Sequence, residues 1–208
     1  MGLPDWLVWF SRSYIAFLYL PFTPVIQIDC IESGKPFKTA LLTIHFTDLR
    51  FMLGFLMPVK DSENVSKVFL QLQQMLSPEE YKAIFPVILT DRGTEFSNPL
   101  AIETHYETGE LLTQVFFCDP QASNQKGHIE ENHTLVRYVI PRSTNLTNYT
   151  QNNIDLLLSH LNSYGRALLG TTPYHLFEIY YGKAILDKIK VKFIQPDQVY
   201  LKPDLFSR

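Results

Sequence analysis

Residues 25–31 read VIQIDCI, apolar at almost every position with one acid inside. A run of that length and β-branched content predicts a central strand buried on both faces. Residues 39–47 (TALLTIHFT) and 50–59 (RFMLGFLMPV) have the same character, and only Asp48 and Leu49 separate them. That spacing predicts an antiparallel hairpin, with Gly54 marking a bulge in its second arm. The period then changes. Val65, Val68, Phe69, Leu72, Met75 and Leu76 recur as one apolar helical stripe, with Asp61 or Ser62 able to cap its start. Ser77-Pro78-Glu79-Glu80 opens a second short helix with proline in its first turn. Residues 86–90 (PVILT) form a buried strand that ends at Asp91-Arg92-Gly93, and residues 111–118 form a fifth, stopped by Asp119-Pro120. The spacing is helical over 125–140, 152–169 and 173–181, and strand-like again at 191–194.

Three strands on short turns, followed by crossovers through helices, predict an α/β fold with a mixed five-stranded sheet and helices packed on its faces. In such sheets, ligands sit beyond the carboxyl ends of central strands. The sequence divides into an apolar N-terminal segment (1–24), a core (25–182) and a more basic tail (183–208). Within the first segment, residues 6–21 are rich in aromatic and aliphatic side chains but carry Arg12 in the middle. A spanning helix needs about 20 apolar residues, so this reads as a helix lying on the core or on a partner rather than across a membrane, with a membrane-surface anchor as the minority reading. With 208 residues, 46% hydrophobic and 19% charged, the chain is long enough for one full core and too apolar for disorder. Its net charge of −3 excludes a strongly basic nucleic-acid coat, so any phosphate binding must come from local patches or metal ions. Cys30 and Cys118 have no zinc-type spacing and read as buried thiols in a reducing compartment.

Three acids stand out. Asp29 lies inside the first apolar run, where an unpaired carboxylate is expensive. Asp91 follows the fourth strand; taken alone it reads as turn chemistry. The first and fourth strands would be parallel neighbours, however, which brings the two aspartates to one edge, where they repel unless a hard cation such as Mg²⁺ or Mn²⁺ lies between them. The third acid comes from the helix after the fifth strand. On a wheel centred on Ile129, His133, Val136 and Ile140 make the buried face, while Lys126, Glu130, Thr134 and Arg137 form a shoulder and Glu131 and Tyr138 point away. Glu130 thus stands at the boundary between core and cleft. Lys126 and Arg137 place cations where a phosphate backbone can run, although the same shoulder also reads as an ordinary solvated helix face.

These blocks resemble a known family. Ile28-Asp29, the run Leu89-Thr90-Asp91-Arg92-Gly93-Thr94-Glu95-Phe96, and the run from Gln125 to His133 with Arg137 and Pro141 are similar to the DDE transposases with a retroviral-integrase catalytic core, above all the IS-thirty insertion-sequence group. Cys118-Asp119-Pro120, Asn162-Ser163-Tyr164, the block from Thr172 to Phe177 and the tail at 196–203 look like the same group. The resemblance implies a ribonuclease H-like fold and places Asp29, Asp91 and Glu130 in the metal-binding triad, with Asp91 and Glu130 39 positions apart. It implies two Mg²⁺ (or Mn²⁺) ions and cleavage and transfer of DNA strands. The implied partners are the transposon ends, a target DNA and further copies of the chain, in a cytoplasmic, nucleoid-associated setting. Lys126, His128, Thr134 and Arg137 are the matching candidates for DNA contact. His133 reads as a satisfied core histidine, and Glu95 as a residue near the site that is not a ligand.

The chain departs from the family in three ways. No pair of helices suited to reading element ends precedes residue 25, Tyr138 stands where the family often has a basic residue, and the net charge is negative. These departures suggest an N-terminally truncated copy. Two other readings therefore stay open: a non-catalytic fragment that occupies DNA or inhibits full-length transposase, and a ribonuclease H-type nuclease.

Overall fold

The computed structural model describes residues 12–18, 20, 23–120, 122, 125 and 127–207. Among these residues, β1 (Val25–Glu32), β2 (Ala40–Phe46), β3 (Phe51–Met57), β4 (Val87–Thr90) and β5 (Gln114–Phe117) form one sheet in the order β3-β2-β1-β4-β5. β2 is antiparallel to β1 and β3, whereas β4 is parallel to β1 and β5 is parallel to β4. This is the ribonuclease H-like arrangement that the family resemblance implied. The helices are α1 (Tyr14–Leu18), α2 (Ser62–Met75), α3 (Pro78–Ile84), α4 (Leu100–Glu103), α5 (Gly127–Val139), α6 (Gln151–Ser163), α7 (Pro173–Tyr181) and α8 (Lys183–Lys188).

Strand alternation splits the core. Ile26, Ile28, Leu42, Ile44 and Ile88 face one side and pack with Phe69 and Leu72 of α2, Phe85, and Phe177 of α7. Ile31, Leu41 and Met52 face the other side, against Ile129, Val136 and Ile140 and against Ile154, Leu157 and Leu161 of α6. A smaller cluster on that second side joins Val87, Leu89, Phe116 and Cys118 to Tyr14 and Phe17 of α1. The part of the N-terminal segment that is described therefore lies on the core as expected, with the Phe17 ring 5.9 Å from that of Phe116; residues 1–11 lie outside the described residues. No helix among the described residues is long and apolar enough to cross a membrane.

Local chemistry sets the helix starts. The Asp61 side chain accepts the Asn64 N–H at 2.8 Å to cap α2, which settles the choice between Asp61 and Ser62. Ser77 and Glu80 form a reciprocal box at α3, and Thr150 with Asn153 does the same at α6.

Four expectations are corrected. Gly54 marks no bulge, because it pairs in regular register with Thr43. It is small because α6 crosses there: a Cβ would lie 3.0 Å from Leu158 Cδ1 and 3.3 Å from Ile154 Cγ2. The helix expected over 152–169 ends at Ser163, and Arg166 instead bridges Thr171 across a tight loop containing Ala167–Leu169. The fifth strand is shorter than 111–118, since Leu111 makes only an isolated bridge to Thr104. Residues 191–194 are not a strand: the Lys192 and Ile194 N–H groups donate to the Ser159 and Ser163 hydroxyls, spaced one helical turn apart on α6.

The β3 margin of the sheet is closed by side chains, and the β5 margin by a side chain together with the main chain of Arg12. Along β3, Asn162 accepts the Met52 N–H and donates to the Met52 carbonyl, while Gln151 accepts the Leu56 N–H and donates to the Gly54 carbonyl. Along β5, the Val115 N–H donates to the Glu103 carboxylate at 2.8 Å and the Phe117 N–H to the Arg12 carbonyl at 2.7 Å. The Arg12 guanidinium in turn pairs with Glu103.

Candidate active site

Asp29 lies in β1, and Asp91 directly follows β4, the parallel neighbour of β1 at the centre of the sheet. The β1–β4 register sets Val25 opposite Val87 and Gln27 opposite Leu89. The aspartates lie two residues beyond these last paired positions. Side chains alternate along a strand, so Asp29 faces the same way as Gln27. The Gln27 Oε1 accepts the Ile129 N–H of α5 at 3.0 Å, and the aspartates therefore open on the side that carries α5.

Each aspartate is fixed by a backbone donor. Asp29 Oδ1 accepts the Cys30 N–H at 2.8 Å, and Asp91 Oδ1 accepts the Gly93 N–H at 2.9 Å. Both side chains are half-buried. The neighbouring Cys30 thiol registers the local charge: burial first, then the carboxylates of Glu95, Asp29 and Asp91, push its pKa up against the opposing charge of Lys60.

Glu130 lies in the first turn of α5, exposed and directly after the fully buried Ile129. The wheel holds at Val136 and Ile140, which are buried, and at Glu131 and Tyr138, which are exposed, whereas His133, expected on the buried face, is half-buried. Among the described residues, no three His, Cys, Asp or Glu side chains are close enough together to hold a metal ion, so the aspartate pair and Glu130 do not make a closed cluster.

His133 holds α5 to the sheet beside Asp29. Its Nε2 lies 2.8 Å from the Thr43 Oγ, and the same hydroxyl donates to the Asp29 carbonyl at 3.0 Å. The hydroxyl has one proton, already committed, so His133 Nε2 is the donor. This is the satisfied histidine that the wheel predicted.

The candidate DNA contacts divide. Lys126 and the side chain of His128 lie outside the described residues. The Thr134 hydroxyl is turned back to the Glu130 carbonyl at 3.1 Å. Arg137 is half-buried and donates to the Pro141 carbonyl at 3.3 Å; burial, then the charge of Arg142, lower its pKa.

Sequence reasoning missed a buried polar knot on the same helix. Asn132 donates to His45 Nδ1 at 2.9 Å and to the Arg50 carbonyl at 3.0 Å, and accepts from Arg166 at 2.8 Å. Arg50 also pairs with the exposed Glu131. Position alone gave a signal, since Asn132 sits one helical turn from Ile129 on the inward side.

The sheet order and strand directions define the class: a ribonuclease H-like domain, with Asp29 inside the central strand β1 and Asp91 just past its parallel neighbour β4. Comparison with known sequences then gives the relatives. No protein-family model matches the chain. It is 34% identical over 120 residues to the transposase InsI of insertion sequence element IS30A from Escherichia coli (strain K12), a match covering 57% of this chain and 29% of the relative. It is 27% identical over 170 residues to the transposase of insertion sequence element IS4351 from Bacteroides fragilis, covering 81% of this chain and 47% of that one. The chain thus matches less than half the length of these curated relatives. Among solved structures, the catalytic core domain of BIV integrase aligns at 19% identity with a TM-score of 0.49, over 78% of this chain and 97% of that one. The chain is similar to insertion-sequence transposases, the group to which its motifs pointed.

Proposed function

We propose that this chain is the catalytic core of a transposase that cleaves DNA strands and transfers them to a new site, using divalent metal ions held by Asp29, Asp91 and Glu130. What supports the reading is the parallel pairing of β1 with β4, whose continuation would bring Asp29 and Asp91 to neighbouring positions. The donor set suits a hard ion: carboxylate oxygens, two of them half-buried and mutually repulsive, are what Mg²⁺ or Mn²⁺ takes. Asp29, Asp91 and Glu130 would hold such ions, which would supply activation of an attacking hydroxyl and stabilisation of a leaving oxygen.

The chain's own residues position the rest. The Cys30 and Gly93 N–H groups hold the aspartate rotamers. The Gln27–Ile129 bond and the His133–Thr43–Asp29 chain fix the start of α5 against β1 and β2. Glu130, exposed on the first turn, has the side-chain freedom to turn toward the aspartates. Arg137 brings positive charge to the last turn of the same helix for a DNA backbone. Recognition of element ends, target choice and assembly of copies belong to this proposal, because the relatives extend well beyond the matched segment.

The test is a nicking and strand-transfer assay on duplex DNA with Mg²⁺ or Mn²⁺. Wild type is expected to be active, and Asp91→Asn to lose about 100-fold or more, since the chemistry rests on charge stabilisation by the bound ions. Full activity in Asp91→Asn overturns the mechanism. Cleavage confined to RNA–DNA hybrids would instead identify a ribonuclease H-type nuclease.

A further inference from the structure

Resting on the metal-site reading above, we propose that Lys60 and Glu95 form a positioning pair that sets the spacing between the two segments carrying Asp29 and Asp91, and thereby the affinity of the site for its divalent ions. The paired register of β1 and β4 ends at Gln27 and Leu89, two residues short of the aspartates. Beyond that point side chains tie the segments together. Thr90 Oγ donates to the Ile28 carbonyl at 3.3 Å. Lys60, in the turn between β3 and α2, reaches both sides: its Nζ is 2.6 Å from Glu32 at the end of β1 and 3.1 Å from Glu95 in the turn after Asp91.

Glu95 is only 4% exposed, so its carboxylate depends on that ammonium for neutralisation. Burial opposes the charge on Lys60, but the bonds to Glu32 and Glu95 outweigh it and push its pKa up. Glu95 also acts as a wedge under Gly93, where a Cβ would lie 2.5 Å from Glu95 Oε2. The Gly93 N–H in turn fixes Asp91. Lys60, Glu95, Gly93 and Asp91 thus form one mechanical chain, clipped at its other end to the strand that bears Asp29. Glu95 is a positioning residue in this arrangement, and its pairing with Lys60 explains why it is not a ligand.

The experiment measures Mn²⁺ binding to the purified chain by calorimetry and by Mn²⁺-induced thermal shift, with no DNA present. Lys60→Met is expected to weaken Mn²⁺ binding by about tenfold, as loss of a group that orients metal ligands does. Lys60→Arg keeps both ion pairs and restores most of the affinity. Because Lys60→Met leaves Glu95 buried and alone, the double variant Lys60→Met/Glu95→Met supplies a core without an orphaned charge; it is expected to fold and still bind Mn²⁺ weakly. Lys67→Met, which removes an exposed pair with Glu63, leaves binding unchanged. A folded double variant that binds Mn²⁺ as tightly as wild type overturns the proposal, as does a double variant that cannot fold, since the pair would then be a fold element alone. A wild-type chain that binds no Mn²⁺ defeats the metal-site reading itself, which separates that failure from this one.

Discussion

Single side chains in this molecule are governed by whether their charge is met. Asp155 on α6 is half-buried, and burial pushes its carboxyl pKa up against the hydrogen bond from Gln151 and the charge of Lys190. A carboxyl that folding makes harder to ionise costs stability once it is charged, and the cost fades as pH falls below its raised folded value. Asp155→Asn, which keeps an acceptor for Gln151, is therefore expected to raise the urea midpoint at neutral pH. The gain should shrink as the pH is lowered through the carboxylate range, and a gain of equal size at both ends would reject this account. The same question decides which residues were legible in the sequence. Asp29 stood out because a charge inside VIQIDCI has no local excuse. Glu95 and Asn132 were opaque as structural groups because their partners, Lys60 for one and His45, Arg50 and Arg166 for the other, lie 34 or more positions away.

Among the secondary-structure elements, α6 carries the most varied duties. Its apolar face covers the sheet, its serines hold the extended tail, and its Asn162 and Gln151 complete the outer hydrogen bonds of β3. Asn162 is fully buried, so Asn162→Ala strands both the N–H and the carbonyl of Met52. A loss of about 2 to 4 kcal/mol follows from two orphaned buried groups. Urea unfolding checks it, with the midpoint falling and the slope unchanged; a loss well under 1 kcal/mol would show that water replaces the amide. Long periodic elements such as α2 and near-continuous apolar runs such as β1 to β3 could be read directly from the chain. The four-residue α4, the six-residue α8 and the end of α6 could not, because a turn or two of helix shows no period and a tail bonded to serine hydroxyls reads like a strand.

For the molecule as a whole, protection should follow the sheet's centre outward. β2 is buried along its whole length and has partners on both sides, and β1 and β4 are each flanked by two strands. By contrast α1 is a five-residue helix with no fully buried residue. Hydrogen exchange read by mass spectrometry is expected to leave β2, β1 and β4 protected longest and to release α1 first; early exchange of β1 would mean that the aspartates sit on a mobile frame. With a net charge of −3, the DNA contact proposed above would have to rest on local cations and bound ions. The side chains that stopper the two outermost strands limit how copies can associate. A second molecule cannot be recruited by lengthening the sheet, since Asn162 and Gln151 plug one flank and Glu103 with Arg12 the other. Association of copies would then draw on helices and loops, and a substitution that uncorks either flank is expected to expose a strand edge open to pairing with another chain.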